Sequence, residues 1–351
     1  MRVISVLAFT LTLSLAIAGR AFTEEDETTA VRGAVNKSLP LLQSIGPRFI
    51  ETTGCVSCHH NSLPAMAVGL ARERGFKTDE RLARENAEMT LRVGMKVREK
   101  MFQQEILRSG AEFVHLPFTG SYVLLGLAAE KQPPDKTTDA IVHHLIGEQT
   151  ADGRWGGKQN RPPIEYSDVS ATALTIRALR LYGPKGRAEE IERHIERARS
   201  WLVRTTPTSN EERTFQLLGL GWAGASGKEI EKSAKGLLAE QRADGGWAQL
   251  SRLESDAYAT GQALVALHQA GGLPLNDPAY RRGVRFLLKT QRDDGSWLVQ
   301  SRSLPVQRYF ESGFPHGANQ WISAAGTSWA TMALILTVEA PVNLIGGGAH
   351  L

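Results

Sequence analysis

Two kinds of apolar pattern alternate along the chain. One is amphipathic: Ile191-Glu192-Arg193-His194-Ile195-Glu196-Arg197-Ala198 spaces its apolar residues three and four apart and puts charge on the other side. The other is apolar nearly all round, as in Ala171-Thr172-Ala173-Leu174-Thr175-Ile176-Arg177-Ala178-Leu179, in Ala259-Thr260-Gly261-Gln262-Ala263-Leu264-Val265-Ala266-Leu267 and in Ala330-Thr331-Met332-Ala333-Leu334-Ile335-Leu336. Helices of the first kind belong on the outside of a fold, and those of the second kind are buried within it. No stretch carries the strict alternation of a strand, so the chain is read as all-α. The same alternation extends upstream: Ser62–Leu70 and Ser121–Leu127 read as inner helices, preceded by helical stretches at 34–44 and 81–107. Six pairs of outer and inner helices result, starting near residues 30, 81, 137, 187, 228 and 278.

Three heptads punctuate this pattern: Gln149-Thr150-Ala151-Asp152-Gly153-Arg154-Trp155, Gln241-Arg242-Ala243-Asp244-Gly245-Gly246-Trp247 and Gln291-Arg292-Asp293-Asp294-Gly295-Ser296-Trp297. Each reads Gln-x-x-Asp-Gly-x-Trp. Their offsets of 92 and 50 residues leave room for one degenerate unit, visible around Trp201-Leu202-Val203-Arg204. Asp-Gly signals a turn between an outer and an inner helix, and Gln and Trp can pin that turn to a neighbouring helix.

Such a repeat on paired helices resembles the α/α-toroid superfamily of squalene–hopene cyclases and protein prenyltransferases, over roughly residues 130–340. The resemblance implies a single (α/α)6 toroid over residues 22–340, where a cyclase normally has two such domains. Fold does not determine function, so the activity is weighed on residues. The cyclases protonate a terpene from an Asp-x-Asp-Asp-Thr-Ala motif at the start of an inner helix. Here that place reads Asp168-Val169-Ser170-Ala171-Thr172-Ala173, which keeps the first Asp but replaces the two following carboxylates. A serine cannot protonate an alkene, so cyclase activity is not expected, and Asp168 and Asp256 read as helix N-caps. Prenyltransferases hold zinc with an Asp, a Cys and a His from the later helix pairs, but no cysteine follows Cys58.

The chain has 351 residues, of which 42% are hydrophobic, enough for a core. Its formal charge of +4 is spread along mixed-sign helices, which argues for solvated faces rather than a nucleic-acid patch. Met1-Arg2 is followed by an apolar run to Ile17 and a small-residue exit, with cleavage sites after Ala18 or Ala21. This describes a signal peptide at 1–21 and an exported, periplasmic or secreted protein. The run falls only slightly short of a spanning helix, so an uncleaved anchor is the other reading. No other run is long enough to span a bilayer. The tail, 341–351, is rich in glycine and carries no recognisable chemistry.

Cys55 and Cys58 are the only two cysteines, and they stand in Gly54-Cys55-Val56-Ser57-Cys58-His59-His60. Cys-x-x-Cys-His is the spacing of a c-type haem attachment site: two thiols add across two vinyl groups, and the following histidine reaches the iron. The candidate cofactor-binding residues are therefore Cys55, Cys58 and His59, with His59 as iron ligand. Zinc sites use the same spacing, and a disulfide or free thiols complete the alternatives. In the toroid that the resemblance implies, every loop entering an inner helix lies on one rim. Cys55–His60 takes that place in the first pair, His115 in the second and His316 in the sixth. These loops are expected to converge, with His316, then His115, then Met66 as candidates for the opposite iron ligand. The function expected is redox chemistry or electron transfer with a periplasmic partner or on an apolar small molecule. The competing expectations are a terpenoid- or lipid-binding, cyclase-like protein and a zinc site on a binding scaffold.

Overall fold

A computed structural model describes residues 24–104, 116–156, 161–305 and 308–341. Among them are twelve α-helices: α1 (Glu24–Thr53), α2 (Leu63–Glu73), α3 (Glu80–Phe102), α4 (Leu116–Ala129), α5 (Lys136–Gly147), α6 (Asp168–Tyr182), α7 (Ala188–Arg204), α8 (Asn210–Trp222), α9 (Gly227–Leu238), α10 (Ala257–Gln269), α11 (Pro278–Thr290) and α12 (Gln320–Leu336). The expected pairs are all present. Even-numbered helices pack side by side in an inner ring that closes where α12 meets α2, and odd-numbered helices lie outside it.

Burial follows the two sequence patterns. Helix α12 buries every residue from Ile322 to Leu336. Helix α7 buries only Ile191, Ile195, Ala198 and Leu202, one stripe at helical spacing. Among the described residues no helix is long and apolar enough to cross a membrane. The signal segment at 1–21, most of the tail and His115 lie outside the described residues.

The heptads are clamps, and all three are built alike. Each glutamine donates to a carbonyl of the next outer helix: Gln149 to His194, Gln241 to Ala279 and Gln291 to Ala34, at 2.8–2.9 Å. Each indole N–H donates back into the helix it follows, to Leu145, Leu237 and Leu287. Each tryptophan's backbone N–H is received by a threonine of the following inner helix, Thr172, Thr260 or Thr327. One turn thus holds three helices. Its glycine is required, because Gly153, Gly245 and Gly295 stand at φ of 101°, 89° and 88°. A Cβ on Gly295 would also come within 2.5 Å of the Lys37 carbonyl. The third clamp closes the ring, since it grips α1. In the fourth pair, which lacks the motif, Gln216 of α8 reaches back to the carbonyls of Leu202 and Thr205 at 2.8 and 2.7 Å.

One capping expectation is corrected. Asp256 does cap α10, accepting from the Ala259 N–H at 2.8 Å. At α6 the cap is Ser167, whose extended backbone lets its Oγ accept from the Val169 N–H at 3.1 Å. Asp168 is already helical, and its carboxylate takes the Arg154 Nε–H at 2.8 Å instead.

Candidate functional site at the rim

Helix α1 ends at Thr53, and Gly54 at φ 70° turns the chain back toward the barrel. The next residues form a π-helical turn, Cys58–Ser62, rather than entering α2 directly. Such wide turns are rare and frequently mark functional sites. Ser57 caps it, its Oγ accepting from the His60 N–H at 3.0 Å. Asn61 fastens it from below: its Oδ1 accepts from the Ser57 N–H at 3.0 Å, and its Nδ2 donates to Gly46 of α1 and Asn86 of α3 at 2.9 and 2.8 Å. The turn therefore hangs on α1 and α3, and it buries two consecutive histidines, His59 at 3% and His60 at 1% exposure.

The proton positions on these rings follow from their neighbours. Arg161 places Nη2 3.1 Å from His59 Nε2. A guanidinium can only donate, so His59 Nε2 carries a lone pair and the ring's proton sits on Nδ1. His59 Nδ1 faces His60 Nδ1, which must then accept. His60 carries its proton on Nε2, a buried atom without a partner among the described residues. Both rings are neutral. Burial, the neighbouring His60 and the Arg161 charge hold His59 well below the usual imidazole range. Burial, then Arg161, pushes His60 down to about 3.

Arg161 and Glu165 come from the loop between the first heptad and α6, where a backbone bridge pairs the two residues. Arg161 Nη2 also meets Glu165 Oε1 at 3.2 Å, and its guanidinium lies 5.4 Å over the Trp321 ring. The Cys58 thiol lies 3.6 Å from the same Glu165 oxygen. Cys58, Glu165, Arg161, His59 and His60 thus form one polar chain. The two thiols are free rather than joined. Burial, then the Glu165 charge, pushes the Cys58 thiol well up, and burial pushes Cys55 up as well. Cys55 is half-buried beside Thr53 Oγ1 at 3.2 Å.

A cavity of about 320 Å³ opens beside the histidines, lined by Phe49, His59, His60, Arg161, Phe310 and Trp321 among others. Phe49 stacks on His60 at 4.9 Å, and Trp321 meets His59 edge-on at 5.7 Å. The loops of the first and sixth pairs therefore converge as expected, but through other side chains than expected. His316 stands at φ 86°, its Nε2 2.7 Å from Ser296 Oγ in the third clamp, and it does not line the cavity. Met66 faces the barrel core, against Leu125, Leu174, Phe215 and Trp329. Among the described residues no three His, Cys, Asp or Glu side chains are grouped to hold a metal ion. A c-type haem needs only one protein nitrogen on the iron, because the thiols bond to the porphyrin.

A profile of the squalene–hopene cyclase C-terminal domain matches residues 205–349. The squalene–hopene cyclase of Bradyrhizobium diazoefficiens is 27% identical over 217 residues, 52% of this chain, and the chain spans 32% of that enzyme's length. Among solved structures, the type II terpene cyclase MstE from Scytonema in complex with merosterolic acid A superposes with a TM-score of 0.59 at 14% identity, covering 89% of this chain and 98% of that one. In fold, the chain is an α/α toroid that resembles those of terpene cyclases. A glycosidase in complex with glucose superposes on the toroid almost as well, with a TM-score of 0.58 at 11% identity over 90% of this chain and 98% of that one. The scaffold therefore leaves the activity to the site.

Sequence reading did not find Arg161 or Glu165. They stand 102 and 107 positions from their partners His59 and Cys58, in a loop whose only signal is a pair of opposite charges four apart. Their contacts make the toroid's thiols unequal. In the native, haem-free protein a maleimide is expected to label Cys55 alone, and both thiols are expected to react after denaturation. Peptide mass mapping reads the outcome, and equal native labelling would contradict the burial of Cys58 at 1% exposure.

Proposed function

We propose that this toroid is an exported protein that holds one covalent c-type haem at its rim and serves in electron transfer or redox chemistry. The observation that carries the reading is the tautomer of His59. The histidine that follows the two thiols keeps Nε2 unprotonated at a cavity wall, which is the form a metal requires. Neither thiol lines the cavity, so the turn would open for Cys55 and Cys58 to hold the porphyrin edge, Arg161 would leave Nε2 for His59 to hold the iron, and the Arg161 and Arg308 side chains that do line it would suit the propionates. Haem supplies one-electron chemistry when bound. The chain's own residues set its surroundings. Phe49, Phe310 and Trp321 wall the cavity with apolar rings, and Asn61 and Ser57 hold the turn in place. Attachment at Cys58 must precede closure of the site, because its folded thiol is buried and protonated.

A binding protein for terpenoid-like apolar ligands is the second reading. It is favoured by the match to a cyclase domain and by the apolar inner helices. The space beside Met66 and Trp329 holds only about 10 Å³, so such a ligand would occupy the rim cavity of about 320 Å³ instead.

The test is export in a strain that matures c-type cytochromes, followed by an absorption spectrum and intact mass. The expected result is a Soret band and a mass gain of one haem, both lost in the Cys55→Ala/Cys58→Ala variant. A colourless protein of unmodified mass, from cells that mature a control cytochrome, would sink the haem reading and leave lipid extraction to test the second.

A further inference from the structure

The rim cavity has a one-sided chemistry. Among the described residues that line it stand two arginines, Arg161 and Arg308, and no Asp or Glu. Acids of the rim loops and of the barrel are engaged elsewhere. Glu165 does not line the cavity but meets Arg161 Nη2 at 3.2 Å. Glu311, exposed beside the mouth, accepts the Tyr309 hydroxyl. Glu211 lies 3% exposed on α8, where its Oε2 accepts from the Tyr258 hydroxyl at 2.8 Å. Arg161 is therefore neutralised by Glu165, whereas no ion pair reaches Arg308 among the described residues. One positive charge of the wall is left uncompensated there.

Much of the remaining wall is aromatic. The Phe49 and Phe310 rings stand tilted at 5.6 Å, and the Arg161 guanidinium lies 5.4 Å over the Trp321 ring. Rings set at an angle leave faces and edges for a further ring, and aromatic pairs prefer such offset or edge-on contact. At the mouth Leu304 and Tyr309 are 81% and 57% exposed, apolar surface that an occupant would cover. Removing such surface from water is favourable by roughly 25 cal/mol per Å². The volume limits the occupant. About 320 Å³ stands at the lower end of the roughly 300–1,000 Å³ typical of small-molecule pockets, which suits one or two rings rather than a long polyprenyl chain.

Resting on the second reading above, in which the rim cavity takes an apolar ligand, we propose that this ligand is a small aryl carboxylate. Its rings lie among Phe49, Phe310 and Trp321, and its carboxylate meets Arg308 at the mouth. One negative charge on the ligand answers the one uncompensated cation of the wall. A guanidinium suits that task, because its planar fork offers a carboxylate two parallel N–H donors. A neutral molecule of the same shape gains the ring contacts alone. A haem on Cys55 and Cys58 would take the same arginines, so the two occupants exclude each other and the haem-free chain is the form that binds the acid.

The test uses the full chain from cells that lack c-type cytochrome maturation, titrated calorimetrically with 1-naphthylacetate and with its neutral isostere 1-naphthylacetamide. The acid is expected to bind about tenfold tighter than the amide, which is what one hydrogen bond between charged groups supplies. Arg308→Gln is expected to lose that preference and keep the amide's affinity. The variant should fold as wild type does, since Arg308 is exposed and outside every ion pair among the described residues. Trp321→Ala is expected to weaken both probes alike. Equal affinities for acid and amide in wild type, or a preference that survives Arg308→Gln, would overturn the proposal and leave the second reading standing. Binding of neither probe, by a chain whose circular dichroism is helical, would overturn both.

Discussion

Replacing Glu211 by Gln is expected to make the barrel more stable than wild type at pH 8, by an amount that vanishes in acid. The acid of Glu211 is held at about 8 in the fold against 4.5 in the free side chain. Between those values the folded chain keeps a proton that the unfolded chain has lost. Stability therefore falls as pH rises through that window, and the contribution is whole only below 4.5. The cost of the ionisable group reaches on the order of 5 kcal/mol by the upper end. His60 works in the opposite direction: held at about 3 against 6.5, it adds stability as pH rises, and it is complete by 6.5. The window between 6.5 and 8 thus isolates Glu211. Urea denaturation of both proteins across it should give a falling midpoint for wild type and a level one for the variant. Parallel profiles would show that Glu211 is ionised in the fold.

Trp297→Ala carries the second large effect. The indole is buried at 1% exposure, donates to Leu287 at 2.9 Å, and belongs to the clamp that joins the last helix pair to the first. Truncating a buried tryptophan typically costs about 3–5 kcal/mol through lost transfer energy and the cavity left behind. The Leu287 carbonyl also loses its donor. The loss should exceed that of Trp201→Ala, since Trp201 is only partly buried in the unit that lacks a clamp. Thermal unfolding monitored by far-UV circular dichroism compares the two. Equal losses would mean that ring closure depends little on the heptads.

Both predictions draw on features with different visibility in the sequence. The heptads announce themselves, because a clamp repeated three times needs the same Gln, Gly and Trp each time. The site is half visible. Cys55, Cys58 and His59 stand within five positions, so their spacing carries a chemical meaning before any folding. Arg161, Glu165, Phe310 and Trp321 meet them only because the first, third and sixth pairs share a rim. His316 illustrates the limit of topology. Its loop reaches the expected place, yet a left-handed backbone at φ 86° and a bond to Ser296 keep its ring with the third clamp.

Sequence by itself determined the six helix pairs, which of them lie inside, and the turns that bind them, because helical period and turn chemistry act between residues a few positions apart. Only the tertiary structure decided which side chains surround His59, which tautomer it adopts, and that Glu211 is a buried acid. Those properties are sums of desolvation and charge over segments 47 to 107 positions apart, and no local pattern encodes them.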